Sequence, residues 1–319
     1  MRKILIRLFI FSIPVLIATS TLEGLQRWLP DNYSHKKALI EAQAGEIETL
    51  ILGSSHGYSG INPDSLDGKA FNMASAAQTI YFDMFLLQKY IDDLKNLKTV
   101  ILPISYPSLG SESNRSPGDL DRSYHYAVYY GSREFINVLA PRLYSRVSLF
   151  TTKESVDRTY DYYVHGTPLI SFKDNGWREI DSRRGRIDIN GRSTAKMHDY
   201  YYGEDLVAVN TERIREMIRL CQERDIQFVL VSLPMYESYS SRIRSDRYDL
   251  MLAAMNQLSQ DHHVPYYDFT CDERFRKSDF FDSTHLRTKG ANKFTRILNE
   301  FINPDRHKIA ETPTKNEGI

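Results

Sequence analysis

A short apolar run that ends at a glycine constrains the fold of this chain more than any other feature. Leu50, Ile51 and Leu52 have the character of a buried β-strand, and Gly-Ser-Ser-His-Gly follows at 53–57. A strand that breaks into small hydroxyl residues can present a serine nucleophile at the edge of a sheet. The same turn leaves backbone N–H groups free to face a developing oxyanion. Ser55 is therefore the first candidate catalytic residue, although most Gly-Ser-Ser triplets are ordinary turns.

Strands and helices alternate around this run. An extended piece at 70–73 and an amphipathic helix at 74–94 lead to a second apolar strand at 99–104. After residue 206 the pattern resumes with segments listed in chain order: a helix at 210–224, a strand at 227–233, a helix at 247–261, a strand at 264–269 and a helix at 286–301. Strand–helix–strand units of this kind form parallel sheets covered by helices. The prediction is an α/β fold with three α/β/α layers and a parallel sheet.

A tyrosine-rich insertion at about 106–205 interrupts this alternation. The chain contains 21 tyrosines, and several lie here in short clusters such as 160–163 and 200–202. A helix is expected at about 133–149. The tyrosines either pack the insertion over the sheet edge or form a glycan surface, since flat aromatic rings stack on sugar faces while their hydroxyls form hydrogen bonds. The two interpretations are compatible.

The N-terminus predicts a membrane-targeting segment. Met1-Arg2-Lys3 is basic, and residues 4–22 are apolar apart from Arg7 and a few hydroxyl residues. This pattern fits a cleaved signal peptide or an uncleaved signal-anchor, and the alternative is the buried first helix of a soluble domain. The expected organisation is an anchor at 1–24, a connector at 25–47, a catalytic domain at 48–302 that contains the insertion, and a flexible tail at 303–319. The basic end places the rest of the chain on the periplasmic or cell-surface side.

Charge and cysteine content exclude several classes of function. The chain has 41 Lys and Arg against 41 Asp and Glu, whereas a dedicated nucleic-acid binder shows a basic excess. Cys221 and Cys271 have no metal-binding spacing, and we expect two unpaired core thiols rather than a disulfide. The sequence shows no phosphate-binding loop and no dinucleotide fingerprint. We expect neither a metal nor a cofactor.

A second cluster of chemically useful residues lies before the last helix. Asp282 and His285 belong to the sequence Asp-Ser-Thr-His at 282–285. This spacing lets the carboxylate accept the Nδ1–H of His285, which fixes the tautomer and leaves Nε2 free as a base. Ser55 follows the first strand, and one edge of a parallel sheet can bring such loops together. His285 as a simple helix cap is the alternative.

These blocks resemble those of a known superfamily. Gly-Ser-Ser-His-Gly also matches the nucleophile elbow of α/β-hydrolases, but that elbow lies well inside its domain and its acid and base come from separate loops. Placement and spacing instead resemble the SGNH (GDSL-like) hydrolase superfamily, which has Gly-Asp-Ser in its first block and Asp-x-x-His in its last. The resemblance covers about 48–105 and 206–302. By this resemblance the fold is flavodoxin-like, Ser55 is the nucleophile, His285 the general base and Asp282 its orienting acid.

The oxyanion hole departs from the superfamily pattern. The second block of the superfamily supplies a glycine N–H, whereas the corresponding region here, Phe-Asn-Met-Ala-Ser at 71–75, has no glycine. The third block supplies an asparagine, whereas the corresponding position here, Ser-Tyr-Pro-Ser at 105–108, has none. The remaining candidates, besides the Ser55 N–H, are Asn72, Ser75 and Ser105, and Asn72 has the alternative of ordering the Ser55 turn. His56 either points away from the nucleophile or contacts the substrate.

The resemblance is greatest to the membrane-anchored extracytoplasmic branch, which includes proteins similar to the D-alanyl transfer protein of teichoic acid modification and to alginate-type O-acetyltransferases. It implies serine-dependent acyl transfer or ester hydrolysis, foremost the O-acetylation of a cell-surface polysaccharide. A membrane-bound acyltransferase would be the partner. The alternatives are a carbohydrate esterase and a non-catalytic glycan-binding or assembly protein that retains the fold.

Overall fold

The computed structural model describes residues 2–112, 122–123, 125–132, 153–180 and 191–303. The helix predicted at 133–149 and nearly all of the predicted tail lie outside these residues. The chain divides into two compact units. The N-terminal unit comprises Met1–Ala38 and Pro117–Ser171, and the sheet unit comprises Leu39–Ser116 and Phe172–Ile319.

Five parallel strands form the sheet. They are β1 (Thr49–Ile51), β2 (Ala70–Asn72), β3 (Thr99–Pro103), β4 (Gln227–Ser232) and β5 (Tyr266–Asp268). Their spatial order is β2-β1-β3-β4-β5, and every neighbouring pair is parallel. This is the flavodoxin-like order, in which ligands bind beyond the carboxyl ends of the strands where the order reverses. The reversal lies between β1 and β3. The predicted α/β fold with a parallel sheet is confirmed.

Ten α-helices accompany the sheet, and in chain order they are α1 (Arg2–Arg27), α2 (Asn32–Gln43), α3 (Ser55–Gly60), α4 (Ile80–Tyr90), α5 (Lys153–His165), α6 (Arg192–Tyr201), α7 (Leu206–Gln222), α8 (Glu237–Ser240), α9 (Ser245–His262) and α10 (Thr288–Ile302), counted over the described residues. Short 3₁₀ helices lie at Pro63–Ser65, Ser108–Gly110 and Lys277–Asp279, and a π-helix at Tyr126–Tyr130.

Alternating side chains of the strands build a core on each face of the sheet. Ile51, Ile101 and Val229 belong to one cluster with Phe294 and Leu298 of α10. The intervening residues point to the opposite face because strand side chains alternate, and all of them are buried: Leu50, Val100, Leu102, Phe228 and Leu230. Helix α10 contacts α3, whereas α7 contacts both α4 and α9. The sheet therefore lies between two helical layers.

Helix α4 begins at Ile80, six residues later than predicted. The preceding segment is bound to β1: the Met73 N–H donates to Ile51 O and the Ser75 N–H to Gly53 O. Ala77 has a φ of 52°, a left-handed conformation that costs a non-glycine residue about 1–2 kcal/mol. Residues 73–79 therefore form a loop at the carboxyl edge of the sheet instead of the first turns of a helix.

Part of the predicted insertion belongs to the core of the sheet unit. Trp177 is 1% exposed, and its indole N–H donates to Ser59 O at 3.0 Å. The backbone of Asn72 donates to Asn175 O at 2.8 Å. The segment 172–180 therefore holds α3 and β2 in place. Of the two cysteines, which are both free, Cys221 is buried as expected, whereas Cys271 is exposed and is not a core thiol.

The N-terminal unit carries one apolar helix. The helix at Arg2–Gln26 is long and apolar enough to cross a membrane, and an 18-residue window within it has a mean hydropathy of 2.0. Most of the large apolar side chains that the structure describes in this helix are exposed, among them Phe9 and Phe11. Near its end, Leu25 O accepts a hydrogen bond from the Tyr163 hydroxyl of α5. The structure thus shows a helix that suits either a membrane anchor or a signal sequence.

Candidate active site

The turn after β1 requires glycine at two positions. Gly53 has a φ of 104°, a conformation that L-residues rarely adopt. A Cβ on Gly57 would lie 2.8 Å from the Pro103 ring and 2.9 Å from Leu52 O. These two glycines let the chain turn sharply into α3, whose first residue is Ser55. The Tyr58 N–H donates to Ser54 O, so the N–H groups of residues 55–57 precede the helical hydrogen bonds.

The structure brings Ser55, His285 and Asp282 into one hydrogen-bonded chain. Ser55 Oγ lies 2.9 Å from His285 Nε2 across 230 residues of sequence. Nδ1 of the same ring lies 2.8 Å from Asp282 Oδ2 and 3.0 Å from Oδ1. This is the arrangement of a nucleophile, a base and a group that orients the base.

A tight turn before α10 fixes the acid and the base. Asp282 Oδ1 accepts the backbone N–H groups of Thr284 and His285, both at 2.8 Å. Burial by itself would raise the pKa of Asp282, but the hydrogen bond and charge of His285 together with these backbone donors lower that pKa to about 2. The carboxyl is therefore ionised at neutral pH. It accepts the Nδ1–H of His285 and leaves Nε2 to take a proton from Ser55.

Asn72 holds the nucleophile turn and has no amide hydrogen left for a substrate. Its Nδ2 donates to Gly57 O and to Ile61 O, both at 2.9 Å, and its Oδ1 accepts the Ala74 N–H. The side chain is fully buried. Since both amide hydrogens are bound to backbone carbonyls, Asn72 fastens α3 to β2 and is removed from the set of oxyanion-hole candidates.

The two serine candidates differ in what they can still donate. Ser105 is buried after β3, its N–H donates to Ser108 Oγ at 2.9 Å, and the two hydroxyls lie 3.0 Å apart. The Ser105 N–H is therefore committed to its own turn, whereas either of the two hydroxyls can be the donor in their hydrogen bond. Ser75 uses its N–H on Gly53 O, but its hydroxyl has no hydrogen bond to any residue that the structure describes. The Ser75 hydroxyl stays a candidate.

Asp83 lies against the nucleophile turn, where the sequence analysis expected only helix. It is buried in the first turn of α4, and its Oδ1 accepts the Gly53 N–H and the Gln78 Nε2, each at 2.6 Å. Burial raises the pKa of this carboxyl to about 7, even though both hydrogen bonds lower it. An acidic residue in a first turn is common, so no sequence signal set it apart.

His56 in α3 and His198 in α6 are two further histidines of the sheet unit. The His56 ring is buried with its centroid 5.1 Å from that of His285, so this side chain does not point away from the site. Burial, followed by His285 and His198, holds the pKa of His56 well below its usual value. His198 comes from α6 in the predicted insertion, and its Nδ1 lies 2.6 Å from the Tyr239 hydroxyl. No sequence signal marks His198, because nothing local connects it to residues 55 or 285.

Comparisons with known proteins give distant matches. A protein-family model matches residues 204–306, less than half of the chain. No curated protein matches the chain significantly. Among solved structures, a proposed acylhydrolase from Bacteroides fragilis is 13% identical with a TM-score of 0.42, and the match covers 83% of this chain and 92% of that one.

Two other solved structures are similarly distant. A proposed platelet activating factor from Streptococcus pneumonia is 10% identical with a TM-score of 0.43, covering 91% of this chain and 99% of that one. A GDSL-like lipase from Bacteroides thetaiotaomicron is 12% identical with a TM-score of 0.40, and the match covers 85% of this chain and 100% of that one. Identities and TM-scores this low assign neither a family nor an activity. Both have to come from the residues of this chain.

Proposed function

We propose that this protein is a serine-dependent acyl-transfer enzyme. The observation that carries the proposal is the hydrogen-bonded chain from Ser55 through His285 to Asp282. Ser55 Oγ attacks the carbonyl carbon of an ester while its proton passes to His285 Nε2. The leaving alcohol departs with that proton, and an acyl-serine remains. A second nucleophile, activated in the same way, then releases the acyl group.

We further propose that the enzyme acts outside the cytoplasm and moves an acetyl group to a hydroxyl of a cell-surface polysaccharide. Three observations support this. The apolar helix α1 would hold the serine near a membrane-bound acyltransferase that delivers acyl groups. Exposed tyrosines such as Tyr160 and Tyr200 offer rings that suit sugar faces. The Gly-Ser-Ser and Asp-x-x-His blocks resemble those of the SGNH hydrolase superfamily.

A carbohydrate esterase is the second candidate function. The side chains of His285 and Asp282 are 25% and 27% exposed, so water can reach the acyl-serine and act as the second nucleophile. The same residues then perform hydrolysis in place of transfer.

The test of the proposed function is covalent labelling. A fluorophosphonate probe should label the wild-type full chain in detergent, because its phosphorus atom takes the place of the ester carbonyl carbon. Labelling should be lost in Ser55→Ala, while Ser54→Ala, one residue away, serves as the matched control and keeps it. Wild-type labelling no stronger than that of Ser55→Ala would refute the catalytic proposal and favour a glycan-binding or assembly protein.

Transfer and hydrolysis give opposite results in cells. If the protein transfers acetyl groups, its removal should lower the O-acetyl content of the surface polysaccharide, and wild type but not Ser55→Ala should restore it. A rise in O-acetyl content on removal would instead identify the esterase.

A further inference from the structure

We propose that His198 is a further catalytic residue, whose Nε2–H donates a hydrogen bond to the acyl oxygen as that oxygen becomes an oxyanion. The inference rests on the proposed serine-dependent acyl transfer and identifies a second donor of that site. Four features of the described residues support it. They are the position of α6, the hydrogen bond from Tyr239, the neutral state of the imidazole, and the contact between the chain beyond β4 and the turn of Asp282 and His285.

Helix α6 is fastened at the carboxyl edge of the sheet. Tyr106 lies just beyond β3, and its hydroxyl donates to Asp199 Oδ1 at 2.5 Å. Tyr239 lies in α8 beyond β4, is fully buried and bonds to His198. Arg247 of α9 adds a hydrogen bond to Asp199 O at 3.0 Å. The loops beyond β3 and β4 thus hold α6 at the edge where Ser55 follows β1, and parallel strands gather their functional loops there.

Tyr239 determines which nitrogen of His198 carries the proton. Burial raises the pKa of the Tyr239 phenol, with Tyr106 and Asp199 adding to the rise, so the hydroxyl keeps its hydrogen. Among the described residues, the hydrogen-bond partner of the Tyr239 hydroxyl is Nδ1 of His198. If Nδ1 carried the hydrogen instead, the buried phenol would have no acceptor, which costs about 1–3 kcal/mol. Tyr239 therefore donates to Nδ1, and the single ring hydrogen lies on Nε2.

The imidazole of His198 is neutral at neutral pH. Burial, followed by the effect of His285, lowers its pKa to about 4, although Asp199 opposes this. Nε2 has no hydrogen-bond partner within the described residues, and it retains solvent-accessible surface. Nε2–H therefore reaches solvent, where it can meet a bound substrate.

The chain segment that holds His198 also contacts the turn of the catalytic histidine. The main-chain N–H of Tyr236, which lies between β4 and α8, donates to Ser283 O of the catalytic turn at 3.0 Å. The chain beyond β4 therefore touches the turn of Asp282 and His285 and, three residues later, supplies the tyrosine that holds His198.

The proposed step needs a donor of this kind. When Ser55 Oγ bonds to the carbonyl carbon, the carbonyl π electrons move onto oxygen, and the proton of Ser55 moves to His285 Nε2. The oxyanion then accepts hydrogen bonds from the Ser55 N–H and from His198 Nε2–H. Collapse restores the carbonyl and expels the alcohol with the proton held by His285. Asn72 cannot share this task, since both of its amide hydrogens are bound to backbone carbonyls.

Two substitutions separate the proposed donor from a structural role. The amide of His198→Asn reaches only the position of Nδ1, so it keeps a partner for Tyr239 and loses the distal donor. The amide of His198→Gln reaches the position of Nε2 and restores an N–H there. With p-nitrophenyl acetate as the probe substrate and the full chain in detergent, we expect His198→Asn to lower kcat about 100-fold with little change in KM. The kcat of His198→Gln should be at least tenfold higher than that of His198→Asn.

Controls make the outcomes decisive. Lys196→Ala, an exposed position on the same helix, should retain wild-type kcat, and thermal unfolding should show His198→Asn folded. If wild type is labelled by the fluorophosphonate probe at Ser55 but His198→Asn loses less than threefold in kcat, the donor role is refuted while the proposed function stands. Equal losses in His198→Asn and His198→Gln also refute it. If wild type neither reacts with the probe nor turns over the ester, both proposals fail.

Discussion

What each side chain of this site can still bind depends on how many of its donors and acceptors are already hydrogen-bonded to neighbouring protein groups. Asn72 has both amide hydrogens on backbone carbonyls, whereas the Ser75 hydroxyl has no hydrogen-bond partner among the described residues. Asp83 uses one carboxyl oxygen to hold both Gly53 and Gln78. The turn that presents Ser55 is therefore held in place by the side chains of Asn72 and Asp83.

Asp83 should make folding stability depend on pH near neutrality. Its pKa in the folded protein is about 7, above the ordinary value of 3.8, so the folded chain holds a proton that the unfolded chain releases. The stability that the folded protein gains from binding this proton on Asp83 is fully present below about pH 4 and is lost as the pH rises through 7. Compared with Asp83→Asn, which keeps an oxygen acceptor, the wild type should lose on the order of 4 kcal/mol of unfolding free energy over that window.

The measurement is urea unfolding of both proteins at half-unit steps between pH 4 and pH 8. Subtracting the Asp83→Asn curve removes the titration of all other groups. A difference that is flat with pH, or that favours the wild type more as the pH rises, would contradict the assignment.

Among the elements, the shortest ones depend most on tertiary contacts. Strands β1 and β2 have three residues each and α3 has six, which is too short to be stable alone. Segment 172–180 braces them through Trp177 and Asn175. The composition of this segment is polar and turn-like, so only the packed structure shows that it belongs to the core.

Truncation of Trp177 should therefore destabilise the sheet unit strongly. We expect Trp177→Ala to lower the free energy of unfolding by about 3–5 kcal/mol, because it leaves a large cavity against α3. Trp177→Phe keeps most of the ring and loses the N–H donor to Ser59 O, for a cost of roughly 1–3 kcal/mol.

Lys173→Ala provides the control from the same segment. Its ammonium lies 5.1 Å from the Trp177 ring and pairs with Glu179 in an exposed position, so its removal should cost less than about 1 kcal/mol. Denaturant unfolding of the three variants tests this order. A Trp177→Ala variant within 1 kcal/mol of the wild type would show that the segment does not brace the core.

For the molecule as a whole, the N-terminal helix should place the sheet unit outside the cytoplasm. Arg2 and Lys3 precede the apolar stretch, and positive residues stay on the cytoplasmic side. The two cysteines report the outcome, since Cys271 is exposed while Cys221 is buried, with a thiol pKa raised by burial to about 12. A membrane-impermeant maleimide should therefore label Cys271 in spheroplasts of an expressing bacterium after mild reduction.

Cys271→Ser is the control for this labelling experiment and should remain unlabelled. Labelling of the wild type that appears only after lysis would place the sheet unit in the cytoplasm and contradict the proposed location.

Features that depend on neighbouring residues could be predicted from the sequence by itself. The five strands follow from apolar runs, and their parallel arrangement from the helices between them. Asp282 and His285 are three residues apart, so a single turn is enough to bring them together. Helix α4 begins later than predicted because the segment before it is bound to β1. Helices α3 and α6 were not predicted, and α6 is held by contacts with the distant residues Tyr106 and Tyr239.

Features that join distant segments were decided by the tertiary structure. The bond between Ser55 and His285 spans 230 residues, and His198 is placed by a tyrosine 41 residues away. The sequence allows Asn72 to be an oxyanion donor, but in the structure its amide donates to the carbonyl oxygens of Gly57 and Ile61. The physical reason is common to all three. The sequence states which donors and acceptors a side chain has, but packing against distant segments decides which of them remain free for a substrate.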